Sequence, residues 1–305
     1  MSNVSITPGV GKDISTDTVA GIEYQRVKLD VGGAGATVPV IGLLPVYSLP
    51  AELQAGMFGT IAGRTARVIN ILGRRSTFQG TTAFQDVCQF LVGGQAAYTE
   101  PNVATTYYAV STSSNDKPGS NGVSKVRLSY LDAAGARQVS EITLNGQTAV
   151  SIGSGYDYFQ WMESSALGGT LFVAAGDIAI SSVNGAATET TTMLMIKAGG
   201  NRSMDGKYQV PAGTTAYIIG WDAGAIGQAM DVRLRAEVYA DDRSLSEDLY
   251  HYQATFYLAA GGRADQDLHY LKLPAGCDIK VSVYPGATTG SPRCDVAVQL
   301  LVIEN

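Results

Sequence analysis

The sequence predicts an all-β protein, an antiparallel β-sandwich of jelly-roll-like kind that follows an extended N-terminal arm. Three observations carry this prediction: apolar and polar residues alternate strictly in several segments after residue 99, turn residues separate these segments, and the composition is rich in glycine and poor in charge. Glycine accounts for 36 of the 305 residues and charged residues for 16%, against usual shares of about 7% and about 25%. A hydrophobic fraction of 45% is sufficient for a sizeable core.

The alternation is clearest in four segments of the C-terminal part. Apolar residues occupy every second position of residues 232–238, 252–258, 279–284 and 296–302. Successive side chains of a strand point to opposite faces, so each segment is expected to bury one face. The repetition at short spacing predicts two antiparallel sheets that pack face to face.

Turn signals separate the alternating segments nearer the centre of the chain. Residues 125–130 alternate and are followed by a turn at 132–135. Asn145-Gly146 lies between apolar residues on both sides, which is the strongest short-range signal of a β-hairpin. Each of these signals therefore predicts a pair of neighbouring antiparallel strands.

A short sequence echo links two turns of the C-terminal part. Residues 207–213 and 270–276 resemble each other, and each ends in Pro-Ala-Gly. Proline removes a ladder donor and glycine adopts positive φ easily, which predicts a strand-ending turn at both places. The two turns are either equivalent corners in two halves of a sandwich or a turn type that simply recurs in β proteins.

The composition divides the chain into three segments. Residues 1–46 are rich in Ser, Thr, Gly and Val and are interpreted as an extended docking arm that orders against the domain or a neighbouring subunit. Residues 47–98 are interpreted as a connecting and packing segment with one short helix at 84–91, since glycines interrupt its other apolar stretches. Residues 99–305 carry the β-sandwich.

Four arginines are the candidate partner contacts. No acidic residue lies between Glu52 and Asp86, and this interval contains the four: Arg64, Arg67, Arg74 and Arg75. They form either a basic patch that binds an acidic partner or an ordinary solvated face. The net charge of −6 does not favour nucleic acid as a partner, and none is expected.

Motifs of catalysis and metal binding are weak in this sequence. The best metal candidate is the alternation of Asp265, Asp267 and His269, which would share one face of a strand, but these mixed ligands match no known motif. The acidic residues at 241–248 could act as a catalytic pair only in a cleft that holds two carboxyls about 5–9.5 Å apart. We therefore expect no enzymatic activity and no cofactor.

The cysteines and the N-terminal residues indicate the cellular compartment in which the protein is expected to be made. Cys88, Cys277 and Cys294 are too scattered for a disulfide framework, so free buried thiols are expected in a protein made in a reducing cytoplasm, with a Cys277–Cys294 bridge as the alternative. The chain has no run of about 18 apolar residues, and its start lacks the basic and apolar regions of a secretory signal. Neither a membrane partner nor export is therefore expected.

Both tryptophans have two interpretations. Trp161 lies in an aromatic stretch at 156–162, and Trp221 follows an apolar stretch at 217–220. Core or subunit interface is the favoured location, while an exposed tryptophan would stack on sugar rings.

Residues 11–29 resemble the opening of many tailed-bacteriophage virion structural proteins. They read GKDISTDTVAGIEYQRVKL. Residues 126–132, 143–148 and 199–213 are similar in style to the same group. The resemblance implies a β-sandwich of the capsid decoration or head-fibre kind, and it implies no catalytic residues.

The resemblance also sets the functional expectation. It implies a non-enzymatic, capsid-associated decoration, cement or head-fibre subunit that is made in the host cytoplasm and resides on the virion. The implied partners are further copies of the chain, as a homotrimer, and the major capsid protein or other virion proteins. Broad surfaces of low charge suit this role, and a polar arm can order on docking.

Two alternatives from other classes remain open at this point. A tail-associated receptor-binding (glycan-binding) protein would expose aromatic rings in a concave site. A virion-associated glycan hydrolase would hold paired carboxylates in a cleft.

Overall fold

The computed structural model describes residues 16–19, 22–25, 66–78, 83–91, 97–238, 249–286 and 292–304. For the two N-terminal strands and for 237–238, 249–253 and 266–271 it describes the backbone alone. The described residues form strands, turns and loops without a helix, and the all-β prediction is confirmed. Within this part of the chain, nothing has the helical length and hydropathy required to cross a membrane.

The chain separates into two units, residues 1–51 and residues 52–305. In the first unit, β1 (Thr16–Val19) pairs antiparallel with β2 (Ile22–Gln25). The described part of the second unit contains four larger sheets, which form two sandwiches.

Eight strands of the second unit form a jelly roll. They are β3 (Ala66–Arg75), β12 (Lys207–Gln209), β13 (Thr214–Ile226), β14 (Met230–Val238), β15 (Leu249–Leu258), β16 (Arg263–Leu273), β17 (Cys277–Pro285) and β18 (Arg293–Glu304). One sheet has the order β16-β13-β18-β3, and the other has the order β12-β17-β14-β15, with the two-residue β4 (Gln85–Asp86) beside β17. Numbered one to eight along the chain, these strands give sheets 6-3-8-1 and 2-7-4-5, which is the jelly-roll order.

A second sandwich is inserted between the first two strands of the jelly roll. Its strands are β5 (Tyr107–Ser111), β6 (Val123–Asp132), β7 (Arg137–Thr143), β8 (Val150–Gly153), β9 (Tyr156–Leu167), β10 (Ile178–Ser181) and β11 (Thr192–Ile196). They form a sheet of order β11-β10-β5-β8 and a sheet of order β7-β6-β9. All pairings in both sandwiches are antiparallel.

Each sandwich has its own core. In the jelly roll, Trp221 stacks on Phe256 with ring centroids 4.2 Å apart. The inserted sandwich centres on an aromatic cluster of Tyr107, Tyr156 and Phe159. These rings pack among many buried aliphatic residues in each core, and aromatic side chains bury the largest apolar areas individually.

The strands predicted from alternation are present. Residues 232–238, 252–258, 279–284 and 296–302 lie within β14, β15, β17 and β18. The alternation is clearest in β18, where buried and less buried positions alternate over 293–299 and Val296 and Val298 enter the jelly-roll core. The turn at 132–135 joins β6 to β7, and Gly135 there adopts φ 72°.

The hairpin predicted at Asn145-Gly146 is wrong. The preceding strand β7 pairs with β6, and the following strand β8 pairs with β5 in the opposite sheet. Gly146 does adopt φ 60°, but its carbonyl and amide bond to Ser111 and Asp116. The turn therefore carries the chain from one sheet of the inserted sandwich to the other.

The predicted helix at 84–91 is also wrong. Residues 85–86 form β4, which pairs with Ser282 and Val283 of β17. Moreover, residues 66–75, within the segment interpreted as a connector, form the edge strand β3 of the jelly roll. Residues 99–305 likewise contain both the inserted sandwich and the remaining jelly-roll strands.

The sequence echo marks equivalent corners of the jelly roll. The turn after β12 and the turn after β16 each place a glycine at positive φ, 71° at Gly213 and 79° at Gly276. The backbone of Val210 bonds to both Cys277 and Gly276, so the two corners lie side by side. They connect strands two and three and strands six and seven of the eight.

Candidate functional site

Strand β3 separates the predicted arginine contacts. Its side chains alternate, so that Arg67 and Arg75 share the face of buried Ile71, whereas Arg74 lies on the other face. Arg64 lies outside the described residues. The structure therefore does not bring the described arginines together as one patch on β3.

Arg75 is a structural residue at the end of β3. Its guanidinium is fully buried and donates to the carbonyl oxygens of Thr77 at 2.8 Å and Asp86 at 2.7 Å. Burial lowers the pKa of Arg75 from its ordinary value. A buried guanidinium with these backbone acceptors is not available to an external acidic partner, and this corrects the prediction for Arg75.

Arg74 lies at the surface in a small charged group. Asp295 of β18 forms ion pairs with Arg74 through one carboxylate oxygen and with Arg293 through the other. The group carries two cations and one anion, so it retains a net positive charge. Arg74 consequently remains a predicted contact for an acidic partner, although it is already paired with Asp295.

The densest group of buried ionisable side chains lies between the two sandwiches. Asp278 of β17 is fully buried and accepts hydrogen bonds from Tyr158 at 2.9 Å and from Tyr98 at 3.2 Å. Lys280, two residues along the same face, forms an ion pair with Asp278 at 3.3 Å. We call this group, together with Lys207, Asp86 and Asp205, the interlobe junction.

Lys207 supplies a second cation to the interlobe junction. Its side chain is almost completely buried, and its ammonium lies 3.8 Å from the ring centroid of Tyr98 and 5.3 Å from that of Tyr158. A cation above an aromatic face is stabilised by the ring quadrupole, most strongly where water is excluded. Both tyrosines therefore bind a carboxylate through their hydroxyls and an ammonium through their rings.

Two further carboxylates complete the interlobe junction. Asp86 accepts the backbone N–H of Tyr98, and burial raises its pKa. Asp205 accepts the backbone N–H of Gln89 at 3.1 Å, and burial raises its pKa to about 7 although Lys207 opposes the shift. Cys88, whose pKa burial also raises, forms a backbone bridge with Asp205.

This arrangement is suited to joining sandwiches. Tyr158 lies in β9 of the inserted sandwich and Tyr98 lies in the segment that precedes β5. Lys207, Asp278 and Lys280 belong to strands of the jelly roll. Burial raises the pKa values of both phenols well above their ordinary range, so they remain protonated donors. The carboxylates and Lys207 are buried, Lys280 is mostly buried, and the opposite charges compensate one another, as buried charges must.

Sequence patterns did not reveal the interlobe junction. Asp278 and Lys280 alternate with the apolar residues of β17, and such alternation predicts that they face solvent. Asp278 is nevertheless fully buried and the side chain of Lys280 is only 16% exposed, because the tyrosines of the inserted sandwich and of the segment before it contact this part of the sheet. The one local signal is the aromatic stretch at 156–162, which contains Tyr158.

The other candidates from sequence are placed as follows. The side chains of Asp267 and His269 in β16 and the acidic residues at 241–248 lie outside the described part. Asp265 is described and exposed. Among the described residues, no three His, Cys, Asp or Glu side chains are grouped to hold a metal ion.

The cysteines and tryptophans are accounted for by packing. Cys88, Cys277 and Cys294 are all buried and free. Cys277 and Cys294 belong to the jelly-roll core, and Cys88 packs in a smaller cluster with Tyr98 and Tyr158. Trp221 is buried in the core. Trp161 is partly covered by the guanidinium of Arg202, 5.6 Å from its ring centroid.

Comparison with known proteins assigns no family to the chain. No protein-family model matches it, and no curated protein matches it. The structure of infectious bursal disease virus Gt strain is 10% identical over 79% of this chain and 72% of that chain, with a TM-score of 0.23. The CBM22-1-CBM22-2 tandem domain from Paenibacillus barcinonensis Xyn10C is 16% identical over 80% and 94%, with a TM-score of 0.20.

A further viral structure is similar to the same extent. The infectious bursal disease virus VP2 subviral particle is 11% identical over 78% of this chain and 72% of that chain, with a TM-score of 0.18. Scores of this size define neither a common fold nor a common function. The strand order itself defines the class: a jelly-roll protein with an inserted antiparallel sandwich.

Proposed function

We propose that this chain is a non-enzymatic structural protein of a bacteriophage virion, a capsid-associated decoration or cement protein or a head-fibre subunit. The observation that carries the proposal is the interlobe junction, where the densest group of ionisable residues in the described chain joins two sandwiches. A group of this kind in an open cleft would favour catalysis, whereas a closed and compensated group favours a rigid two-lobed body. Jelly rolls are used repeatedly as such bodies in capsids.

Residues 1–46 are proposed to be the segment that docks on the particle. A polar segment with few large apolar side chains gains order when it binds, and this suits attachment to the major capsid protein or other virion proteins. The surface of low overall charge suits contact with further copies of the chain, in the homotrimer that the resemblance to decoration proteins implies. On this proposal the protein resides on the virion after synthesis in the host cytoplasm.

The alternative, a tail-associated receptor-binding protein that recognises glycans, has less support. It requires aromatic rings in a concave site, but Trp221 is enclosed in the core and Trp161 lies beneath Arg202. The rings of Phe172 and Tyr257 are exposed, but they belong to different sandwiches.

The deciding experiment combines location and docking. Immunogold labelling of intact particles with an antibody against this chain is expected to decorate heads, and the full chain is expected to co-sediment with heads that lack it. A variant without residues 1–46 is expected to retain the oligomer mass of the full chain but to lose co-sedimentation. Full co-sedimentation of the shortened variant would exclude the docking arm, and label on tails together with binding to host glycan would favour the receptor-binding alternative.

A further inference from the structure

Two arginines, one from each sandwich, lie close together, and no carboxylate of the described residues pairs with either. Arg67 belongs to β3 of the jelly roll, and Arg137 begins β7 of the inserted sandwich. Both are half-buried, and Arg67 forms no hydrogen bond or ion pair with any described residue. Charged side chains that are withdrawn from water normally have a partner, so this pair of cations is a candidate site for an anion from outside the chain.

Hydrogen bonds hold the side chain of Arg137 at the boundary between the sandwiches. Its Nε donates to the hydroxyl of Ser129 at 3.2 Å, and that hydroxyl donates to Gln160 at 2.9 Å. The side-chain amide of Gln160 in turn donates to the backbone carbonyl of Gln209 at 3.0 Å. This series of bonds therefore leads from the inserted sandwich to β12 of the jelly roll, next to Tyr208.

The hydroxyl of Tyr208 lies near both arginines. The residue is 1% exposed, and its hydroxyl oxygen is buried without a hydrogen bond of acceptable distance and angle. Burial raises the pKa of Tyr208, whereas the charges of Arg67 and Arg137 and the nearby amide of Gln160 lower it. Because an unpaired buried hydroxyl costs free energy, this O–H is a donor that an anion between the arginines would satisfy.

Arg67 has an unsatisfied donor in the same region. Its Nε is buried without an acceptor, whereas its two terminal nitrogens are not enclosed in this way. Burial, followed by the charge of Arg67, lowers the pKa of Arg137, so the two guanidiniums repel each other. A bound anion would offset both the unsatisfied donor and the repulsion.

The charge of this region matches a single carboxylate. The ionised side chains that act on Arg137 are Arg67 and Glu304, so two cations and one anion leave a net charge of +1. Glu304 is exposed and forms no ion pair with either arginine. A guanidinium binds a carboxylate through two parallel hydrogen bonds, whereas the net charge of −6 on the whole chain disfavours a polyanion such as nucleic acid.

We propose that Arg67, Arg137 and the hydroxyl of Tyr208 form a binding site for the carboxylate of an aspartate or glutamate side chain on a partner protein. The site takes one cation from each sandwich, so the bound side chain contacts both. The inference deepens the proposed function, because an acidic segment of another virion protein would supply the carboxylate. It rests on that function only for the source of the segment.

The test measures binding of a fluorescein-labelled hexaglutamate peptide to the full chain by fluorescence anisotropy. Arg67→Gln and Arg137→Gln are each expected to weaken binding by about tenfold or more, since each removes a charge-assisted pair of hydrogen bonds. Tyr208→Phe keeps the ring and is expected to weaken binding by about threefold or more. Arg127→Gln is the matched control, because Arg127 is an exposed arginine that pairs with Glu163 within the inserted sandwich, and it is expected to leave binding unchanged.

Thermal unfolding separates a binding role from a structural one. Because Arg67 repels Arg137 and forms no internal hydrogen bond, Arg67→Gln is expected to unfold at the temperature of the unmodified chain or above it. The peptide is expected to raise the midpoint of the unmodified chain, as a ligand of the folded state does, and to leave that of Arg67→Gln unchanged. A lower midpoint of Arg67→Gln without peptide would indicate a structural role and overturn the proposal.

Competition identifies the chemistry of the anion. Glutarate is expected to displace the labelled peptide at lower concentration than inorganic phosphate or a single-stranded oligonucleotide, and the reverse order would overturn the carboxylate assignment. The proposal is also overturned if the unmodified chain does not bind the peptide, or if Arg67→Gln and Arg127→Gln bind it equally well. Labelling of particles reports on the virion role separately, so peptide binding together with label outside the head would retain the site and exclude the proposed location.

Discussion

Tyr158 donates a hydrogen bond of 2.9 Å to Asp278 across the boundary between the inserted sandwich and the jelly roll. Both side chains are fully buried, and Tyr98 donates to the other oxygen of the same carboxylate. Loss of a hydrogen-bond donor to a buried carboxylate lowers the free energy of unfolding, so this bond couples the stability of the two sandwiches.

Tyr158→Phe is expected to lower the free energy of unfolding by about 1.5–3 kcal/mol, the range for a hydrogen bond to a charged group. The phenyl ring still fills the site, so the loss is attributable to the hydroxyl. The measurement is urea unfolding at neutral pH, and Tyr257→Phe, at an exposed site, is the matched control. Equal stability of the two variants would mean that the bond across the boundary contributes nothing.

The sequence predicted the all-β class and most C-terminal strands because these depend on local alternation. Strands β14, β15, β17 and β18 alternate because one face enters a core, and this is visible in any short window. By contrast, β3 pairs with β18 across more than 200 residues of sequence. No local pattern contains that pairing, and so the first strand of the jelly roll was interpreted as part of a connector.

The interlobe junction was hidden for a related reason. A charged residue that alternates with the apolar residues of a strand gives the same sequence pattern whether its side chain faces water or another sandwich. Asp278 and Lys280 are therefore indistinguishable in sequence from the solvated residues of β18. Similarly, Asn145-Gly146 forms a turn with Gly146 at positive φ. The strands on either side of it do not pair with each other, because β7 pairs with β6 and β8 pairs with β5.

Asp205 is expected to make stability depend on pH near neutrality. Its pKa is about 7 in the folded protein because of burial, against about 3.9 in an unfolded chain. A raised carboxyl pKa means that the stability it contributes is fully present below about pH 4 and is lost as the pH rises through about 7. Asp205→Asn cannot ionise and keeps an oxygen for the Gln89 amide, so its midpoint temperature relative to the unmodified protein is expected to rise between pH 5 and pH 8.

The control for Asp205 is an exposed carboxylate. A side-chain hydrogen bond from Gln138 lowers the pKa of Asp132, so its contribution to stability is lost only as the pH falls below the unfolded value of about 4. Asp132→Asn is expected to differ from the unmodified protein by a constant offset from pH 5 to pH 8. A constant offset for Asp205→Asn as well would contradict a neutral pKa at Asp205.

Gly73→Ala is expected to destabilise the jelly roll by about 1–3 kcal/mol through overpacking. A Cβ atom at position 73 would lie 2.7 Å from a methyl carbon of Val296 and 2.8 Å from the Cα atom of Gly206. The second contact is with backbone, which cannot rotate away. Gly224→Ala in β13 is the control, since its Cβ would meet nothing nearer than 4.0 Å. Denaturant unfolding of the two variants measures the difference, and equal midpoints would show that β3 shifts freely away from Gly206.

Asp116 is expected to be the most sensitive polar residue of the inserted sandwich. Its carboxylate is fully buried and accepts four hydrogen bonds, from the hydroxyl of Ser111 at 2.6 Å and from three backbone amides at 2.9 Å, those of Val123, Ala175 and Gly176. Asp116→Ala would leave these donors without an acceptor, and the free energy of unfolding is expected to fall by at least about 3 kcal/mol.

The region in which amide protection is lost distinguishes a local effect of Asp116→Ala from destabilisation of both sandwiches. Amide hydrogen exchange is expected to accelerate first at 174–177 and 122–123, which the carboxylate ties to β5, while β13 and β18 retain their protection. Asn115→Ala is the matched control, because Asn115 is exposed and its backbone carbonyl still accepts the amide of Gly122. Equal acceleration in both sandwiches of Asp116→Ala would instead mean that they unfold as one cooperative unit, with the interlobe junction stronger than the loop that Asp116 organises.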